Sequence, residues 1–398
     1  MTHSERMRVL FLAHAYPRHA GDPVGSFVAN LAVALRDQGI DVVVSAPSAP
    51  GLLAHEVLDG ISVHRFRYAP ASRETLAYTG TMGAQVLGSL AGKVTMAAYI
   101  AAGTLAARRL ARQERVDLVH AHWWFPGGLI GAAVSRSLGV PMVVTMHGSD
   151  LRLASASPLG RRLYAGVAAS ALARTAVSSW LAREAEALSP QPVAVAPMPV
   201  LTQLFHPPSA DEPRDHDRML FIGKLSAQKG LHRLLDAMAR MQSSAQLTVV
   251  GAGRVDDDPV RHQAVELGLD HRIEWLPLLT QAELAAQYRR AAVHVIPALD
   301  EGLGLTGVES LLSETPVIGF ASGGLTDIVN DGRTGRLVPP GDAQAFADAL
   351  DQLLLDSAAR ERMGRDGRVE ALGIFGAAAV AIGYAALYRD VLARTGVS

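Results

Sequence analysis

The chain has no cysteine, and that absence removes several kinds of chemistry. It excludes a disulfide framework, a thiol nucleophile and cysteine-ligated zinc or iron–sulfur sites. Charge is scarce too, at 19% of the 398 residues against 49% apolar, a balance that builds buried cores and excludes a disordered chain. The net charge is only −1, so there is no strong basic excess, and nucleic acid is not an expected partner. Long hydrophobic runs are missing as well. The N-terminal run VLFLA is too short for a secretory leader, and with the lack of cysteine it gives a cytoplasmic location as the expectation. The stretch Thr75–Ala107 carries one charge, Lys93, but Gly80, Gly83, Gly88, Gly92, Gly103 and several polar residues interrupt it. A membrane-spanning helix needs about 20 strongly apolar residues. One or two helices packed on the first domain, with an apolar face toward solvent, are expected there instead.

What is present is an alternation of short apolar runs with amphipathic segments, the pattern of parallel sheets covered by helices on both faces. In the first half the strands are expected at Met7–Ala13, Asp41–Ser45, Ile61–Tyr68, Asp117–Ala121, Pro141–Met146, Thr175–Ser178 and Val193–Ala196. A helix is expected at Phe27–Gln38, stopped by Gly39. The series restarts at Met219–Gly223 and continues through Leu247–Gly251, Ile273–Leu276, Val293–Pro297, Pro316–Phe320 and Gly335–Val338. Between the series lies a segment rich in proline and charge, whose end at residues 205–217 reads as an exposed linker. The expected fold class is α/β, two doubly wound parallel-sheet domains facing across a cleft, at 1–205 and 206–382. Through residue 205 there are 18 basic and 12 acidic residues, and beyond it 19 and 26. A basic N-terminal half allows peripheral contact with the inner, anionic face of a membrane.

The densest chemistry lies in PALDEGLGLTGVESLLSETPVIG, residues 297–319. The apolar run AVHVIPAL ahead of it reads as a buried parallel strand. Gly302, Gly304 and Gly307 space a turn, and an apolar helix follows. Strand, glycine turn and helix N-terminus form an anion site, because unpaired N–H groups and the helix dipole point at its occupant. Glu309 stands about one turn into that helix, where an acidic residue accepts hydrogen bonds from sugar hydroxyls. An ordinary strand–loop–helix with two surface glutamates, Glu301 and Glu309, fits the same letters. Lys224 and Lys229 follow the first strand of the second half. Gly251 and Gly253 end a later strand, where they would line a cleft. His147, in MHGSD, follows a strand end and is placed to face the cleft; a core histidine bonded to backbone is the plainer alternative. His120, His122 and His147 invite a metal, but no ligand motif of known spacing accompanies them, and no metal site is assigned.

These segments, with VLFLAHAYPRHAGDPVGSF, DLVHAHWWFPGG, VVTMHGSD, AVSSW, LFIGKLSAQKG, LTVVGAGR and DGRTGRLVPPGD, resemble the retaining, nucleotide-sugar-dependent glycosyltransferases of family 4, which have the GT-B fold. The likeness runs through nearly the whole chain. It implies transfer of a hexosyl group from a nucleotide-diphosphate sugar, with a UDP- or GDP-hexose the expected donor, to an alcohol or saccharide. No cofactor and no metal are implied. Lys224 and Lys229 would reach the diphosphate, although the family usually has Arg at the first, so Lys224 lacks the bidentate fork. The backbone of Gly302, Leu303 (commonly Phe in the family), Gly304 and Leu305, with Glu309, would hold the donor. Glu301, Lys229 and His147 would act at the transferred sugar. Gly25, where the family often has two glycines, would offer a backbone amide, and backbone near Leu278 would meet the base. Asp150 and His122 would lie on the acceptor side. The last helix, from about Gly383 to residue 398, would pack back on the first domain.

Other classes remain open. A glycoside hydrolase would need Glu301 and Glu309 within roughly 5 to 9.5 Å across one bond, whereas eight residues of continuous helix span about 12 Å. A sugar epimerase or phosphorylase of the same fold, or a nucleotide-sugar-binding protein without turnover, fits the motifs too.

Overall fold

The computed structural model describes residues 6–251 and 258–396. The chain forms two compact units. One runs to Pro199 and resumes at Ala377, and the other is Val200–Gly376.

The first unit is built on β1 (Arg8–Leu12), β2 (Asp41–Pro47), β3 (His55–Leu58), β4 (Ile61–Phe66), β5 (Leu118–His122), β6 (Met142–Met146), β7 (Ala173–Ala176) and β8 (Ala194–Val195). Their order is β3-β4-β2-β1-β5-β6-β7-β8, parallel throughout except for the β3–β4 pair. Strands β5 and β6 are buried along their whole length, as central strands covered on both faces are, although β5 carries His120 and His122. Its helices are α1 (Ser26–Asp37), α2 (Met82–Gly88), α3 (Leu90–Gln113), α4 (Leu129–Leu138), α5 (Ser149–Ser155), α6 (Pro158–Ser170) and α7 (Ser179–Leu188). From the central β1 the chain winds one way through β2 and β4 and the other way through β5 to β8. The winding therefore reverses between β1 and β5, where open sheets place ligands.

Two features differ from the sequence expectation. β3 was not foreseen; it pairs with β4 across a tight turn at Asp59-Gly60 (φ 49° and 77°), a dipeptide that favours hairpin turns. The stretch expected to hold one or two helices holds two, α2 and α3, but α3 runs for 24 residues to Gln113 and is long and apolar enough by length and composition to cross a membrane. One of its stripes is nevertheless buried in the unit, with Tyr99 against Phe66 (5.1 Å between ring centres) and Tyr68 (4.9 Å). Leu90, Val94 and Leu105 point outward.

The second unit has six strands, β9 (Asp215–Ile222), β10 (Gln246–Val250), β11 (Ile273–Leu276), β12 (Ala291–Ile296), β13 (Val317–Phe320) and β14 (Gly335–Val338). All neighbours are parallel in the order β11-β10-β9-β12-β13-β14, and the winding reverses between β9 and β12. The helices are α8 (Leu231–Met238), α9 (Pro259–Glu266), α10 (Gln281–Arg290), α11 (Leu305–Leu312), α12 (Ala343–Leu355) and α13 (Ser357–Phe375). Phe221, Leu234, Val249, Val293, Ile318, Phe346 and Leu350 belong to its core. After α13 the chain returns to the first unit as α14 (Ala377–Thr395), against α1.

The division falls at 199/200 and 376/377, where 205/206 and 382/383 were expected. The reason lies in side chains. Phe205 is buried 5.8 Å from the Tyr288 ring, Glu212 pairs with Arg289 at 3.0 Å, and Arg214 donates to Thr315 Oγ1 and the Ala291 and Ser313 carbonyls. A segment with the composition of a linker is thus anchored to the second unit.

The loop from β1 to α1 closes at Gly25, which caps α1 in a left-handed conformation (φ 72°). A Cβ there would stand 2.4 Å from the Ala15 carbonyl oxygen. Gly25→Ala is expected to cost about 2 kcal/mol or more, adding a clash with rigid backbone to an unfavourable φ. Urea unfolding measures it, and unchanged stability would contradict this close approach.

Candidate functional site

In the second unit the loops leaving β9, β12 and β13 meet at the carboxyl ends of their strands. The β9 loop carries Lys229, whose Nζ donates to Glu301 Oε2 at 2.7 Å from the loop after β12. The two loops touch through backbone as well. Leu299 N–H donates to the Gln228 carbonyl at 3.3 Å, and a Cβ on Gly230 would stand 2.1 Å from the Pro297 oxygen. The β13 loop locks the other side, with Gly324 N–H donating to the Glu301 carbonyl at 2.8 Å and Asp300 N–H to Ser322 Oγ at 3.0 Å. Glu301 is therefore fixed from three directions.

Gly302 and Leu303 are buried beneath this junction, and Gly304 (φ 89°) turns the chain into α11. Leu305 begins the helix half-buried. The first turn of α11 leaves N–H groups for an anion beside Lys229. Glu309 follows one turn later and accepts a 2.9 Å hydrogen bond from Tyr288 Oη on α10. Burial pushes its carboxyl up to about 7, against the opposing pull of that hydroxyl. Lys224 is exposed and forms no ion pair among the described residues. Gly251 N–H donates to the Leu276 and Pro277 carbonyls (3.2 and 3.3 Å), tying β10 to the loop that carries Leu278. The Leu278 side chain itself is 77% exposed. Gly253 lies outside the described residues.

The first unit gathers aromatic and imidazole rings at its own reversal point. His147 follows β6, half-buried between Trp123 (4.5 Å) and Phe27 (5.2 Å), and its Nε2 lies 3.2 Å from His122 Nδ1. His14, after β1, packs on the other side of Trp123 at 4.1 Å. Trp123 has φ 64°, a strained conformation for a bulky residue, held by its N–H bond to the Thr145 carbonyl and by Gly128 N–H on its own carbonyl. Burial lowers His14 to about 4 and His120 to about 3, and holds His122 and His147 well below the ordinary histidine range. At neutral pH the cluster therefore works through hydrogen bonds of neutral rings, not through charge.

The two residues expected on the acceptor side, Asp150 and His122, both have partners within the first unit. Asp150 is 3% exposed, and its carboxylate accepts from Trp124 N–H (3.1 Å), His147 N–H (3.1 Å) and Gly148 N–H (2.9 Å). It organises the backbone that carries His147, with both carboxylate oxygens engaged by backbone N–H groups. His122 is fully buried, sits 4.8 Å from Phe11 and 4.2 Å from His120, and its Nδ1 lies 3.2 Å from His147 Nε2. It orients the His147 ring. His120 bridges Tyr388 Oη on α14 (2.6 Å) and Thr145 Oγ1 (2.7 Å), a structural link. Among the described residues no three His, Cys, Asp or Glu side chains are grouped to hold a metal ion.

Sequence reasoning passed over His14, Trp123 and Tyr288. His14 gives the same signal as His147, a histidine just past a buried strand. Trp123 and Tyr288 give none, because their importance comes from what the fold places beside them.

Residues 204–370 match the family described as Glycosyl transferases group 1, and residues 24–200 match the Glycosyl transferase 4-like domain. The D-inositol 3-phosphate glycosyltransferase of Arthrobacter sp. (strain FB24) is 31% identical over 402 residues, covering 92% of this chain and 91% of the relative. Among solved structures, sucrose-phosphate synthase from Thermosynechococcus elongatus superposes with a TM-score of 0.78 at 23% identity, covering 98% of this chain and all of the other. HepE of Anabaena, in complex with UDP-glucose, gives 0.73 at 18% identity, with 96% and 100% covered. The order of motifs, the two reversed-winding sheets and these matches agree: the chain belongs to the family-4-like, group 1 glycosyltransferases and has the GT-B fold.

Proposed function

We propose that the chain transfers a hexosyl group from a nucleotide-diphosphate sugar to an acceptor hydroxyl, with retention of anomeric configuration and without a metal ion. The observation that carries this reading is the meeting of Lys229, Glu301 and the α11 N-terminus at the β9/β12 reversal, one helical turn from Glu309. A diphosphate fits the lysine and the helix N-terminus, whose partial positive charge stabilises it as a leaving group. The ribose hydroxyls fit Glu309 as acceptor. A relative whose solved structure contains UDP-glucose supports this class of donor. Lys224, exposed on the same loop, supplies a second cation. His147 has Nε2 engaged by His122, which leaves Nδ1 for a hydroxyl of the hexose. No side chain here is set up as an enzymic nucleophile. The leaving diphosphate takes the acceptor proton, and the protein contributes orientation and charge stabilisation.

A panel of UDP-, GDP- and ADP-hexoses assayed with acceptor alcohols and saccharides tests the reading. Expected are nucleotide release that depends on acceptor, a product with the donor's anomeric configuration by NMR, and full activity in EDTA. Release without acceptor would point to a hydrolase. An inverted product would overturn retention, and loss in EDTA restored by magnesium or manganese would overturn the metal-free mechanism.

The lysines should differ in weight. Lys229→Ala is expected to depress turnover more than Lys224→Ala, because Lys229 is held at the junction by Glu301 while Lys224 is exposed and has no ion pair among the described residues. The two effects should couple, since both cations act on one diphosphate. Small, equal and additive losses would remove both from the phosphates.

Glu309 gives a pH signature. Hydroxyl donors favour its ionised form, so nucleoside diphosphate affinity should rise as pH passes upward through about 7. Glu309→Gln should cost on the order of 1.5–3 kcal/mol at pH 8 and flatten the rise, leaving only the ligand's own phosphate titration. Calorimetry from pH 6 to 8.5 measures both, and an unaltered profile in the variant would exclude Glu309 from the ribose.

A further inference from the structure

We infer that Tyr288, on α10 and outside every motif of the family-like glycine–glutamate block, is a positioning residue for the donor: its hydroxyl holds the Glu309 carboxylate in the orientation that receives the ribose. This rests on the reading of Glu309 as the ribose acceptor. The geometry is specific. The ionised carboxylate offers only acceptors, so in that form the 2.9 Å contact has one polarity, Tyr288 Oη donating to Glu309 Oε2. That occupies one oxygen and leaves Oε1 and the remaining lone pairs for two vicinal hydroxyls. Among the described residues the Glu309 side chain has no other hydrogen-bond partner, so this single bond fixes the rotamer.

Tyr288 is itself immobilised. It is fully buried, with Phe205 edge-on at 5.8 Å and His294 at 5.3 Å, and its carbonyl accepts from Thr315 Oγ1 at 2.6 Å. Thr315 in turn receives Arg214. The segment at 205–215, which has the composition of a linker, thereby buttresses the donor side of the second unit. The hydroxyl also favours the charged carboxylate against the burial that disfavours it, so its removal should drive Glu309 further toward the neutral acid. The other ionisable groups nearby are His294, which faces Tyr288 and is held neutral by burial, and the Lys229–Glu301 pair at the start of α11.

The test compares wild type, Tyr288→Phe, Glu309→Gln and the double variant. The probe is whichever of UDP, GDP and ADP the wild-type chain binds most tightly, titrated by calorimetry from pH 6 to 8.5. Tyr288→Phe keeps the ring and its packing, and thermal melting confirms the fold. Expected are a roughly tenfold weaker Kd at pH 7.5, a pH midpoint moved upward, and no added loss when the change is made on Glu309→Gln. Two results would overturn the inference: an unchanged Kd and midpoint in Tyr288→Phe while Glu309→Gln weakens binding, or an equal loss in the Glu309→Gln background, which marks a purely structural role. If Glu309→Gln binds as tightly as wild type, the ribose reading fails first and the inference falls with it.

Discussion

Everything chemical in this protein depends on one property of an open parallel sheet. Where the winding reverses, two neighbouring strands send their following segments to opposite faces, and the loops between diverge. In the second unit that place is β9 beside β12, and the Lys229–Glu301 ion pair spans it. The pair joins two loops that share no sequence neighbourhood. It fixes the glutamate backbone that Gly324 also grips, and so sets where the first turn of α11 points. Without continuous burial of β12 and its neighbours this junction would have no rigid floor.

The two units meet the same geometric opportunity with different chemistry. The second presents a lysine, helix N–H groups and a glutamate whose carboxyl burial pushes upward, suited to phosphate and hydroxyl groups. The first presents neutral rings around a strained tryptophan, with a buried aspartate accepting backbone N–H bonds beneath. Burial keeps those histidines uncharged, which suits directional hydrogen bonding more than the holding of an anion.

Much of the fold was legible in the letters, because a buried parallel strand must be a short apolar run and a glycine-spaced turn must precede a helix that opens on a ligand. Thirteen strand positions follow from such runs, whereas β3, with exposed His55 and a polar alternation, does not. The donor-side block was legible for the same reason: Glu301, Gly304 and Glu309 lie close in sequence, so their relation is local. The surroundings of His122 and Asp150 were not legible, because their burial and pairing are set by partners 25 or 26 residues away. Tyr288 was invisible since an isolated tyrosine on a helix carries no sign of the carboxylate it will meet. The segment at 205–217 misled by composition, its charges being spent on Arg214 and Glu212 contacts that only the folded unit defines.

The central claim is that the β9/β12 junction of the second unit holds the donor diphosphate. Hydrogen–deuterium exchange with and without saturating nucleotide sugar tests it most directly. The account predicts new protection at residues 224–230 and 301–309, peptides on both sides of the ion pair. Donor binding that leaves both segments unchanged while protecting others would contradict it.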